Sequence, residues 1–294
     1  VLGQLVERRP EEFEEAPAGV FDQAVKNNPS SALAYIARAG FYRRSTNDAP
    51  AVLVDLQRAE RQDLSDPEIR LRLARELITM GQLDRAAEHL EIVQEADPKN
   101  QDLWQAWARL ALKSGSQEKM LEVAEAGLAE LVSQPWDFMP MAAELFILAG
   151  RLEDANNCIS ELRLKDIGRA KVAFLSGLVA SEQGDLSEAV RHWKQSIESG
   201  NRSPRVRLAL ASALSRSGDR QSAKMQLRDV VSENPGYLEG RLALARLLHT
   251  INSACGLVLS ICLSLLSSRI APRGERYIRS SYRNPNLLAY VNTR

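Results

Sequence analysis

The chain has 294 residues, of which 45% are apolar, 26% charged and only 5% aromatic; this is ample material for a core and excludes a disordered polar chain. Alanine and leucine dominate the apolar set, a composition that favours helices over strands, so the expected class is all-α. Thirty-eight basic and 38 acidic residues cancel, so overall charge argues neither for nucleic acid nor for an acidic substrate.

From its start at Val1 the chain shows neither an initiator methionine nor the charged, apolar and small-residue order of a signal peptide, and Val1 reads as an internal start. Residues 20–29, closing on Asn28-Pro29, read as the end of a second helix belonging to an earlier unit, and 1–32 is assigned to that unit. Residues 33–66 form a degenerate unit, with Gly40, Val52, Leu56 and Ala59 at its small and apolar positions and Asn47 where a turn glycine is expected.

Five strong units follow. Gly81, Gly115, Gly150, Gly184 and Gly218 are spaced 34, 35, 34 and 34 apart, and each stands between two apolar-periodic stretches. Glycine tolerates the left-handed conformation that ends a helix, so helix, glycine turn, helix is the predicted unit. Asp84, Glu118, Glu153, Asp185 and Asp219 fall where the second helix begins and complement its dipole. Pro98 and Pro235 stop second helices, while Pro67 and Pro204 stand at the first position of new units.

A further first helix over 238–248 is in register, but the next turn glycine should fall at Asn252, and no second helix follows in recognisable form. Ile251–Leu266 is apolar, and the segment 251–294 carries six arginines against Glu275 alone, so its charge is +5 and that of residues 1–250 is −5. The apolar stretch has three readings: a helix closing the end of the array, a membrane anchor, or a disruption of the coding sequence near Thr250. As an anchor it falls short of the roughly 20 apolar residues needed to span a bilayer.

These residues resemble the tetratricopeptide repeat. Leu73, Ala74, Leu77, Gly81, Ala86, Leu90, Val93 and Pro98 match its pattern in the first strong unit, and Leu210, Ala211, Leu214, Gly218, Ala223, Leu227, Val230 and Pro235 match it in the fifth. The intervening units match through Trp104, Trp107, Ala108, Ala111 and Gly115; Ala142, Ala143, Phe146, Gly150 and Ala155; and Gly177, Ala180, Gly184, Ala189, Trp193 and Ile197. The resemblance implies a right-handed α-solenoid of stacked antiparallel helix pairs over 67–250, with a concave surface lined by first helices. It also implies a protein-interaction scaffold of bacterial style. Alternative readings are the regulatory or substrate-recognition array of a larger enzyme, and an envelope-associated factor for polysaccharide or lipid export.

Enzymatic chemistry has no motif here: no nucleophile with its base, metal cluster or phosphate loop stands out, and the expectation is a non-enzyme without cofactor or metal. His89, His192 and His249 lie in separate units and read as ordinary helix residues. Cys158 reads as core; Cys255 and Cys262 share a helical face, and the odd, widely spaced set indicates neither a disulfide framework nor zinc. The adjacent carboxylates Glu153 and Asp154 belong to a helix start. Trp104, Trp107 and Trp193 occupy core positions, whereas Trp136 precedes a helix and could edge a ligand.

At offsets five, nine, twelve and thirteen, which the family turns inward, the candidate groove residues are Arg75, Arg109, Lys113, Phe174, Leu178, Leu208, Arg216 and Arg246, with Leu71 and Leu242 beside them and Glu144 and Glu182 as acids. Such a mildly basic groove suits an acidic, partly apolar protein or peptide, and no nucleic acid is expected. The lysine and asparagines with which some family members clamp a terminal carboxylate are absent from positions five and nine. A cytoplasmic location is favoured; membrane association would run through Ile251–Leu266.

Overall fold

The computed structural model describes residues 17–46 and 48–251, so Asn47 and the tail from 252 onward, with the three readings placed on it, lie outside the described residues. Fourteen helices follow one another in that span: α1 (Pro17–Asn27), α2 (Ala32–Ser45), α3 (Ala49–Glu60), α4 (Pro67–Thr79), α5 (Leu83–Ala96), α6 (Gln101–Ser114), α7 (Gln117–Glu130), α8 (Met139–Leu148), α9 (Leu152–Leu164), α10 (Arg169–Glu182), α11 (Leu186–Glu198), α12 (Pro204–Arg216), α13 (Arg220–Glu233) and α14 (Leu238–Ile251). No strand occurs among the described residues.

Local chemistry sets the helix ends. Asp66 and Ser203 accept hydrogen bonds from the backbone amides of Glu68 and Arg205, and the proline that follows each cap enters the helix where its missing N–H costs nothing. Asp185 and Asp219 cap α11 and α13 in the same way, accepting from the amides of Glu188 and Ser222. At the other end of α4, Gly81 takes φ +75°, which lets its own N–H donate to Ile78 O and the N–H of Gln82 to Leu77 O. That pair of bonds satisfies carbonyls the helix leaves open, and the same pair recurs at Gly150 and Gly184. The predicted turn glycines at 115 and 218 are also left-handed, with φ of +70° and +93°.

The chain divides into two compact units, 17–114 with 129–131, and 115–128 with 132–251. Within the first, α2 packs on α3 and α4 on α5, while the first helices α2, α4 and α6 also touch in succession. Within the second, α8 pairs with α9, α10 with α11 and α12 with α13, and α14 packs against α13 and α12.

Small residues permit these crossings. Ala74, Ala108, Ala143, Gly177 and Ala211 recur at one place on the first helices and are buried, as are Ala86, Ala155, Ala189 and Ala223 on the second, where the larger Met120 takes the same place in α7. Gly177 is the tightest case, because a Cβ there would stand 2.6 Å from Cδ1 of Trp193. Trp193 is fully buried against it, and its indole N–H donates to the carbonyl of Phe174 at 3.2 Å. One turn further along α11, Ser196 is the buried residue and Ile197 only half-buried, although Ile197 is the one aligned by sequence. The Ser196 hydroxyl donates to Ala170 O at 2.6 Å and accepts from the side-chain amide of Asn201 at 3.0 Å, so a polar group fills an apolar position without an unmet bond.

Candidate binding surface on the first helices

The residues expected to line a groove divide between the two units. In the first unit Arg75 projects from α4 to α6, where its Nη2 lies 3.0 Å from Oδ1 of Asp102, and Lys113 donates from α6 to the carbonyl of Thr79 at 3.4 Å. Arg43 of α2 pairs likewise with Glu76 of α4 at 2.9 Å. Successive first helices are therefore joined by ion pairs, and part of the positive charge read from the sequence is compensated within the fold. Arg109 and Lys113 remain exposed.

Another polar cluster lies at the start of this unit. Arg38 holds both carboxylate oxygens of buried Asp55 at 2.7 Å and one oxygen of Asp22 at 3.0 Å. Tyr42 donates to the same Asp22. Arg38, Tyr42, Asp55 and Arg58 border an open cleft of about 430 Å³. The sequence reading singled out none of these four residues.

In the second unit Phe174, Leu178 and Leu208 are only 3, 3 and 4% exposed, so these apolar candidates belong chiefly to the core. Arg216 and Arg246 are exposed. Glu182 is half-buried; burial raises its carboxyl above the ordinary range against the opposing pull of Arg216.

The most concentrated electrostatics of this unit surround Glu144. It is the only charged residue of α8, whose sequence is otherwise Met139-Pro-Met-Ala-Ala and Leu-Phe-Ile-Leu148, and it is buried. One carboxylate oxygen accepts from Lys171 Nζ of α10 at 3.0 Å, the other from Arg205 Nη2 of α12 at 2.5 Å. Both cations lie by the ring of Phe174, at 5.2 and 5.7 Å from its centroid. Burial alone would push the Glu144 carboxyl up, but the charges of Lys171 and Arg205 and their hydrogen bonds outweigh it and bring it down to about 2. Sequence reasoning named Glu144 and Phe174 but neither Lys171 nor Arg205, both of which stand at the second position of their units.

Elsewhere the side chains form local pairs. His89 sits between Arg70 and Glu60, and burial holds its imidazole below its usual value. His192 lies 3.2 Å from Glu188 on the same helix. Cys158 is buried, and burial followed by the charges of Glu161 and Asp154 pushes its thiol up to about 11. Trp104, Trp107 and Trp193 are buried; Trp136 is half-buried beneath Lys165, whose Nζ stands 5.7 Å from the ring centroid. Among the described residues no group of three His, Cys, Asp or Glu is placed to hold a metal ion, and no helix is long and apolar enough to cross a membrane.

Comparison with known proteins places this geometry. The Tetratricopeptide repeat family model matches residues 67–110. No curated protein matches the chain in sequence. Among solved structures, a tetratricopeptide repeat protein from Parabacteroides merdae superposes with a TM-score of 0.55 at 15% identity, over 72% of this chain and 82% of that one. Human IFIT1, solved as a dimer with m7Gppp-AAAA, gives 0.54 at 13% identity over 82% and 71% of the two chains. The Cut9–Hcn1 hetero-tetramer of the APC/C gives 0.50 at 14% identity, covering 78% of this chain and 45% of that one. At these identities the likeness is one of fold. The paired helices, the left-handed glycine turns and the family match over 67–110 together give this chain the tetratricopeptide-repeat fold.

Proposed function

We propose that the chain is a non-catalytic scaffold whose first-helix faces bind an acidic, partly apolar segment of another protein. The tetratricopeptide-repeat fold is in general one of protein interaction, and the Cut9–Hcn1 neighbour is itself a protein assembly. The observation that carries the acidic preference is the set of exposed first-helix cations, Arg109 and Lys113 in the first unit and Arg216 and Arg246 in the second. Charges of this kind steer an oppositely charged partner and fix its register, while half-buried Leu242 offers an apolar contact on α14.

The test is fluorescence anisotropy with a labelled peptide of alternating glutamate and leucine. Reversal of two exposed charges, Arg216→Glu with Arg246→Glu, is expected to weaken binding about 10-fold, and more at low salt than at high. Unchanged affinity would remove the charge argument. The IFIT1 neighbour was solved with a capped RNA, so single-stranded RNA is the competing probe. Tighter binding of RNA than of the peptide would replace the proposal with a nucleic-acid function.

A further inference from the structure

Glu144 does more than neutralise a buried spot. Its two oxygens are shared between cations 27 and 61 residues further along the chain, on two other first helices. The arrangement is lopsided: the carboxylate side chain is only 7% exposed, whereas Lys171 and Arg205 retain 37% and 26% exposure. The cations therefore cover Glu144 and present their outer sides to solvent. An ammonium has three donors and a guanidinium five, and Glu144 occupies one of each. Arg205 Nε is buried without a hydrogen-bond partner. One buried carboxylate thus bridges two cations that rest by the ring of Phe174 and have donors to spare, with half-buried Glu239 also within electrostatic range of Arg205.

We propose that Lys171 and Arg205, seated by the buried ring of Phe174, form a carboxylate-binding site, filled in the unliganded chain by Glu144 and open on its solvent side to an aspartate or glutamate of the partner. Glu144 then acts as an internal competitor. It bridges the two cations and offsets part of their charge when no partner is present, and it sets a threshold that weakly acidic segments do not cross. The use of the site by a protein partner rests on the function proposed above; the carboxylate site itself does not.

Acetate is the probe that separates the two. In Glu144→Ala and Glu144→Gln the cations lose their counter-ion, and sodium acetate is expected to raise the melting temperature by a few degrees at on the order of 100 mM, relative to sodium chloride of equal ionic strength. Wild type should show no such difference, nor should either variant once Lys171→Met and Arg205→Met are added. Equal melting in acetate and chloride for whichever Glu144 variant folds would overturn the site. With the glutamate–leucine peptide, Glu144→Gln is expected to bind about 10-fold more tightly than wild type, and unchanged or weaker binding would overturn the role of Glu144 as competitor. Acetate rescue without peptide binding by any variant would leave the site standing and sink the acidic-partner function.

Discussion

Trp193→Ala is expected to lower the unfolding free energy of the second unit by about 3–5 kcal/mol, the range for removing a buried aromatic whose cavity cannot fully collapse. Collapse is hindered here because the indole fills the notch left by Gly177. The loss also strips the Phe174 carbonyl of the bond it accepts from Trp193 Nε1. Urea denaturation followed by helical circular dichroism checks the figure. Trp193→Phe should recover most of the loss, since it restores ring volume and forfeits mainly the hydrogen bond. A shift below 1 kcal/mol in the alanine variant would mean that the α10–α11 contact is not the anchor of this unit.

Glu144→Gln is expected to cost about 2–3 kcal/mol. Breaking a fully buried ion pair from one side costs about 3–5 kcal/mol, and the lower figure follows because Lys171 and Arg205 keep partial access to water. Removing all three charges together, as Glu144→Leu with Lys171→Met and Arg205→Met, should restore much of the stability, since the cost lies in stranding cations and not in losing ions as such. The pH dependence has a definite sign. The Glu144 carboxyl falls from an ordinary 4.5 to about 2 in the folded chain, so its stabilisation is complete above about pH 4.5 and is lost as pH falls toward 2. Wild type should lose stability through that window more steeply than Glu144→Gln, as equilibrium unfolding at pH 5, 4 and 3 would show.

The repeat itself was legible because its signals are local. The spacing of Gly81, Gly115, Gly150, Gly184 and Gly218 depends only on each helix ending where a left-handed residue allows it, and Pro67 and Pro204 mark helix starts through their own covalent geometry. The binding surface was less legible. Family offsets pointed to Phe174, Leu178 and Leu208, but each is covered by its neighbours in the stack, which the sequence of a single helix does not reveal. Lys171 and Arg205 went unnoticed because their partner lies 27 and 61 residues earlier and meets them only after three hairpins have stacked. A signal was nevertheless present: Glu144 is the lone charge in an otherwise apolar helix, and a charge in that setting requires partners from elsewhere. The division into two compact units, with its boundary inside the repeat that contains Gly115, had no counterpart in the regular spacing of the glycines.

Hydrogen exchange of the whole chain with and without the glutamate–leucine peptide tests the central claim most directly, because it reports which helices a ligand covers. Binding at the first-helix faces predicts slowed exchange in α10, α12 and α14, with α11 and α13 little changed. Protection centred on the second helices, or none at a peptide concentration that saturates the anisotropy signal, would contradict the assignment of the binding surface.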